Sequence, residues 1–105
     1  MTTQPSGDWS QLNPKLRELT DQVLFGDVWE RPGLSKRDRS LITVATLVAG
    51  YRTNELPFHL QRALENGVTR AELAEVITHL AFYAGWPAAN TAVTIARQVL
   101  QQTGA

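Results

Sequence analysis

The segment from Leu41 to Ala49 constrains the fold most, because it is apolar on nearly every side of a helix. It follows a charged start at Lys36–Arg39 and ends at Gly50, which predicts a helix over 36–49. A helix that is apolar all round is buried on all sides. A chain of 105 residues has little room to bury such a helix alone, so we expect a homo-oligomer. The segment is also too short to span a bilayer.

Helical periodicity recurs along most of the chain. The remaining helices are predicted at about 14–24, 54–66, 70–84 and 87–101. Pro57 fits only the first turn of its helix, with Asn54 as the N-cap and Gly67 as the residue that closes it. Thr69 and Glu72 form a capping-box pattern. No segment alternates long enough to predict a strand, so the fold class is all-α, a bundle of five to six helices. We expect a flexible tail over 1–13 and a single domain over 14–105.

The composition excludes several classes of function. The chain has no cysteine, which removes disulfides, thiolate metal sites and thiol redox chemistry. Its formal net charge is +0, and without a basic stripe neither nucleic acid nor an anionic membrane is an expected partner. The N-terminus is polar and lacks an apolar secretory segment. We therefore expect a cytoplasmic protein.

Three side chains with chemical potential share one face of the predicted third helix. Glu55, His59 and Arg62 are spaced i, i+4, i+7, so a carboxylate, an imidazole and a guanidinium line up there. They could perform acid–base chemistry on an anion, or they could be a solvated face, because exposed pairs contribute only about 0.3–0.5 kcal/mol. His79 lies beside an apolar stripe and could equally be a histidine at the edge of the core. Two histidines are too few to predict a metal site, unless Glu55, His59 and His79 converge.

Five short motifs occur in a fixed order along the chain. They are Phe25–Leu34, Arg37–Leu41, Glu55-x3-His59-Leu60, Glu65–Thr69 and His79–Ala89. Together they resemble the carboxymuconolactone decarboxylase family, of the alkylhydroperoxidase D-like superfamily, over roughly residues 20–101. The resemblance implies an all-α fold that forms trimers or hexamers, with sites built between subunits.

The resemblance also implies a reaction. Its decarboxylase branch removes CO₂ from a carboxylated unsaturated lactone without a cofactor, in the breakdown of aromatic compounds. Such a site needs cations for the carboxylates and a proton donor for the carbon left behind. The first candidate for the proton donor is His59 and the second is His79, and Glu55 would orient His59 or raise its pKa. Arg39 and Arg52 are the candidates for binding the carboxylate. Tyr83 and Trp86, with Phe82, would form walls for a flat ring.

A sister branch of the superfamily uses a Glu-x11-Cys-x2-Cys-x3-His relay. Aligning that spacing on His59 puts Glu55 and Arg52 at the cysteine positions and Ser40 at the glutamate position. Only the histidine remains, and without a thiol nothing can attack a peroxide. Arg62 matches nothing in the relay and is interpreted as a surface or interface residue.

Two alternatives to a cofactor-independent lyase on a small anionic acid or lactone stay open. The chain could be a non-catalytic, oligomeric binding protein that has kept the fold, as the serine and arginine at relay positions allow. It could also be a metal-dependent oxygenase or hydrolase, which a stoichiometric metal ion would reveal.

Overall fold

The structure is a computed structural model that describes residues 9–103. These residues form six α-helices, one π-helical segment and one 3-10 turn, and no strand occurs among them. The all-α prediction is therefore confirmed. The chain divides into two compact units, residues 1–36 and 37–105, which are described in turn. Within 9–103, no helix is both long and apolar enough to cross a membrane.

The first unit contains short helical segments. Helix α1 covers Trp9–Leu12 and α2 covers Pro14–Glu18, and the Asn13 side chain caps α2 by accepting from the Leu16 amide at 3.0 Å. The rest of the predicted tail, residues 1–8, lies outside the described residues.

The helix predicted over 14–24 changes type after Glu18. Residues Leu19–Leu24 are π-helical, and the Phe25 amide donates to the Thr20 carbonyl at 3.0 Å, five residues back. The Thr20 hydroxyl donates to the Leu16 carbonyl at 2.8 Å. Thr43 and Thr78 make the same bond within regular α-helices, so this contact does not by itself account for the wider turn.

A turn at Phe25–Asp27 ends the π-helical segment. A Cβ atom on Gly26 would lie 2.6 Å from the Gln22 carbonyl oxygen, so only glycine fits this close approach. The connector then forms a 3-10 turn over Val28–Glu30. Trp29 is buried, and its ring centroid lies 5.8 Å from that of Phe25.

The second unit contains four longer helices: α3 Lys36–Ala49 (Lys36 being the last residue of the first unit), α4 Leu56–Glu65, α5 Arg70–Tyr83 and α6 Trp86–Thr103. Helix α6 packs against both α4 and α5. The core contains mainly leucine, valine and alanine from all four helices, with Leu56, Leu60 and Leu73 among its largest fully buried side chains. The alanines of α6 let its neighbours approach closely.

Helix α3 has the predicted bounds, and within one chain it is buried on one face only. Ser40, Val44 and Val48 are buried, whereas Ile42 on the other side is 52% exposed. Two side-chain contacts hold α3 in place. The Asn66 amide donates to the Ser40 hydroxyl at 3.0 Å, and Arg37 forms an ion pair with Glu72 of α5.

The start of α4 differs from the prediction. The helix begins at Leu56 with Glu55 as its N-cap and Pro57 in the first turn, so the proposed N-cap at Asn54 is wrong. The Leu56 amide already donates to the Arg52 carbonyl at 3.2 Å within the preceding turn. Because the turn satisfies this amide, the helix begins without a side-chain cap.

The predicted glycine cap of α4 and the capping box of α5 are confirmed, whereas α6 begins at Trp86, one residue before the predicted start at Pro87. Gly67 has a φ of +97°, and the Val68 amide donates to the Ala63 carbonyl at 2.9 Å, which is the Schellman arrangement. At the start of α5 the Thr69 hydroxyl accepts from the Glu72 amide at 3.1 Å, and the Glu72 carboxylate accepts from the Thr69 amide at 2.9 Å. The backbone hydrogen bond from Thr69, followed by the side-chain hydrogen bond from Arg37, lowers the pKa of Glu72.

Candidate functional site

His59 lies on the buried side of α4, in the second turn of the helix. Its side chain is 7% exposed, and its ring meets that of Phe58 edge-on with centroids 5.0 Å apart. Burial, and secondarily the charge of Arg62, lowers the pKa of His59 from 6.5 to about 4. The imidazole is therefore neutral at neutral pH. This outcome differs from a solvated helix face, on which a histidine would stay hydrated.

Glu55 is the exposed N-cap residue of α4, one turn before His59. Its backbone carbonyl accepts from the His59 amide at 3.3 Å. The net shift of the His59 pKa is downward, with burial and Arg62 as its causes; that Glu55 orients His59 or raises its pKa stays a prediction. An exposed carboxylate is screened by water, so it offsets little of the cost of charging a buried ring.

Arg62 is a charged neighbour of His59 that relay matching discarded. It is half-buried, it lies three residues after His59 on α4, and its positive charge acts on the imidazole. The i, i+3 spacing of the two residues was the available signal, since such residues are neighbours on a helix surface. Aligning the chain on a cysteine relay hid that signal, because the relay has no residue at this position.

The two arginines predicted to hold carboxylate lie at different depths. Arg39 is half-buried in the second turn of α3. Arg52 is exposed in the turn before α4. Its side chain lies beside Gly50, since its Cγ atom is 3.4 Å from the place where a Cβ atom on residue 50 would be. A half-buried guanidinium binds a carboxylate more strongly than an exposed one, because the surrounding dielectric is lower.

The remaining predicted residues cluster at the end of α5 and the start of α6. His79 and Tyr83 stack with ring centroids 4.7 Å apart, and Phe82 meets Trp86 edge-on at 5.2 Å. Tyr83 and Trp86 are 78% and 56% exposed, respectively. Large aromatic rings this accessible can form one wall of a site for a flat molecule.

His79 also lines an open cavity of about 370 Å³ between α3 and α5. The other lining residues are one carboxylate and four apolar side chains: Glu75, Leu41, Ala45, Val76 and Leu80. His59 does not line this cavity, so the two histidines belong to separate places in the second unit. In the part of the chain that the structure describes, no three His, Cys, Asp or Glu side chains are grouped to hold a metal ion.

Comparison with known proteins gives a family match and similar proteins that include two decarboxylases. The carboxymuconolactone decarboxylase family model matches residues 14–98. The chain is 41% identical over 95 residues to a 4-carboxymuconolactone decarboxylase from Acinetobacter baylyi. The aligned region covers 90% of this chain and 71% of that protein. It is 34% identical over 84 residues to a nitrosuccinic acid decarboxylase from Metarhizium robertsii, covering 80% of this chain and 59% of that protein.

A third relative is an uncharacterised 15.0 kDa protein from Paracoccus denitrificans, 31% identical over 80 residues, with 74% of this chain and 60% of the relative covered. The chain thus spans about three fifths of the length of the last two relatives. The family model covers most of the chain, and five ordered motifs lie within or beside the match. The chain belongs to the carboxymuconolactone decarboxylase family.

Proposed function

We propose that this chain is a cofactor-independent decarboxylase of a small anionic carboxylic acid or lactone. The observation that carries the proposal is its 41% identity to a 4-carboxymuconolactone decarboxylase over nine tenths of the chain. A second relative is a nitrosuccinic acid decarboxylase. Both named substrates carry more than one electron-withdrawing group, so each can delocalise the electron pair that remains when CO₂ leaves.

The chemistry requires one bond to break and one to form. The carbon–carbon bond to the carboxylate breaks, CO₂ departs, and the electron pair stays on the substrate and spreads into its carbonyl or nitro group. A proton then bonds to that carbon. We assign this proton to His59, with His79 as the second choice. An anionic substrate beside Arg62 would offset the guanidinium charge and raise the pKa of His59, so that the ring takes up a proton when the substrate binds.

The remaining roles follow the charges and rings already described. Half-buried Arg39 and exposed Arg52 would bind the substrate carboxylates by charge-assisted hydrogen bonds. Tyr83 and Trp86 would cover a flat ring and exclude water. Glu55, as the N-cap residue of α4, would position the turn that carries His59.

A shared site between copies of the chain is part of the proposal. Large apolar side chains left exposed in the first unit of one chain support it: Leu12, at 88% exposure, with Leu16, Leu19 and Val23. Exposed apolar side chains at this density are typical of surfaces that a partner covers. Light scattering at working concentration should give a trimer or hexamer, and a mass of 11.6 kDa would contradict this part of the proposal.

The direct test is turnover of 4-carboxymuconolactone and of nitrosuccinate, followed as CO₂ release. We expect His59→Gln to lower kcat by about 10²–10⁴-fold, the range for a lost proton donor. Arg39→Gln should raise KM by about tenfold, as expected for one charge-assisted hydrogen bond. Arg31→Gln, a change at an exposed position in the first unit, is the matched control.

Circular dichroism of each variant would separate lost chemistry from lost folding. Equal turnover by the wild type and His59→Gln would remove His59 from the mechanism. If His79→Gln instead abolished turnover, the open cavity beside α5 would be the reaction site.

A non-catalytic binding protein is the second candidate. The observation that favours it is that His59 lies outside the cavity that His79 lines. In that case the purified oligomer would release no CO₂ from either substrate and would still bind the corresponding anions in a calorimetric titration.

A further inference from the structure

A second cavity lies between α5 and α6 and contains none of the residues assigned above. Its volume is about 330 Å³, which is within the range of small-molecule sites. Two basic residues, one threonine and six apolar residues line it: Arg70, Arg97, Thr78, Leu73, Ala74, Ile77, Val93, Ala96 and Leu100. None of the nine is acidic, so both charged side chains of the lining are cationic and favour an anion over a cation.

The two arginines lie at the same end of this cavity. Helix α5 ends at Tyr83 and α6 begins at Trp86, and a connection this short makes the helices an αα-hairpin. Arg70 is the first residue of α5, and Arg97 follows the hairpin turn at a similar distance along α6. Both residues therefore lie toward the open end of the hairpin and both belong to the lining of the cavity, and guanidinium groups are well suited to binding a carboxylate.

Apart from Thr78, the rest of the cavity lining is apolar. Leu73, Ile77 and Ala96 are buried and form its floor, whereas Ala74 and Val93 are exposed at its rim. Because residues 74 and 96 are alanines, the cavity keeps space that larger side chains at these positions would fill. Thr78 is the lining residue with a hydroxyl, and it donates to the Ala74 carbonyl at 3.0 Å within its own helix.

We propose that the groove between α5 and α6 binds an amphipathic monocarboxylate, with its head between Arg70 and Arg97 and a short apolar tail along Leu73 and Ile77. A second carboxylate placed along Leu73 and Ile77 would lie on apolar surface without a partner. The apolar tail distinguishes this ligand class from 4-carboxymuconolactone and nitrosuccinate, the two acids named above. The groove is thus a separate site, and its test needs no turnover.

The test is calorimetric titration with octanoate, and with 1-octanol as the uncharged match. Octanoate should bind, and Arg97→Gln should weaken it by about tenfold, since a hydrogen bond to a charged group is lost. Ala74→Leu should abolish binding by filling the groove. Ala71→Leu, at an exposed position of α5 that does not line the cavity, should bind octanoate as the wild type does.

The outcomes separate this site from the proposed active site. His59→Gln should bind octanoate with unchanged affinity, and this result would hold even if the chain released no CO₂ from any substrate. Equal binding of octanoate and 1-octanol, or equal affinity in Arg97→Gln and the wild type, would overturn the carboxylate assignment. If Ala74→Leu lowered the mass of the oligomer and octanoate did not bind, the groove would be a contact between copies and the proposal would be wrong.

Discussion

Burial of His59 should make the stability of the fold depend on pH in a particular window. The pKa of this residue is lowered from 6.5 to about 4, and each pKa unit corresponds to about 1.36 kcal/mol. The folded state therefore disfavours the charged ring by about 3 kcal/mol. Below pH 6.5 the unfolded chain binds a proton that the folded chain does not, so stability is full above this pH and is lost as pH falls toward 4.

The expected size of the effect at pH 5 is about 2 kcal/mol relative to pH 7.5, from the same linkage relation. His59→Gln removes the titrating group, so the free energy of unfolding of this variant should not fall by this amount between pH 7.5 and pH 5. Carboxylates such as Glu72, whose pKa is also lowered, lose their contribution as pH falls further. They do so in wild type and variant alike, so the difference between the two chains isolates His59.

The assay is urea unfolding followed by circular dichroism between pH 7.5 and 5, at one protein concentration because self-association would add to stability. His79→Gln, a change at an exposed histidine, is the matched control and should keep the wild-type loss. If wild type and His59→Gln lost the same free energy between pH 7.5 and 5, the burial argument for a neutral imidazole would be refuted.

Three smaller predictions test the contacts around this residue. Arg62→Met should raise the pKa of His59 in an NMR titration and still leave it below 6.5, because burial is the larger cause; an unchanged value would exclude Arg62 as a cause. Ser40→Ala should lower the free energy of unfolding by about 1–3 kcal/mol, because the Asn66 amide loses a buried acceptor. As a control, Thr46→Ala on the exposed side of α3 should change the free energy of unfolding by no more than about 0.5 kcal/mol. Thr69→Ala should cost about 1 kcal/mol by removing half of the capping box, and equal urea midpoints for this variant and the wild type would contradict the assigned cap.

The second unit was the more predictable part of the chain. Helix α3 has the bounds that its charged start and Gly50 indicated, and the Thr69–Glu72 box and the Gly67 cap are both present. These features are local: each depends on a few adjacent residues whose hydrogen bonds form within one turn. Local patterns of this kind can be read without knowing what packs against them.

The misses depend on geometry that no local pattern contains. The π-helical segment at Leu19–Leu24 has an apolar spacing that would equally fit an α-helix, so periodicity could not distinguish the two. The direction of the His59 shift depends on its depth in the fold, which periodicity does not give. The separation of His59 from the cavity beside His79 depends on helix packing, so residue type alone could place both histidines in one site.

The hydrogen bond between Asn66 and Ser40 also limits how this chain could evolve toward peroxide chemistry. Ser40 stands where the thiol relay of the sister branch has its glutamate, and it is 1% exposed. A glutamate there would bury a carboxylate and remove the hydroxyl that accepts from Asn66, at a cost of several kcal/mol unless its charge were paired. Two cysteine substitutions at Arg52 and Glu55 would therefore not restore the relay. The contact between Ser40 of α3 and Asn66 at the end of α4 would have to be repacked as well.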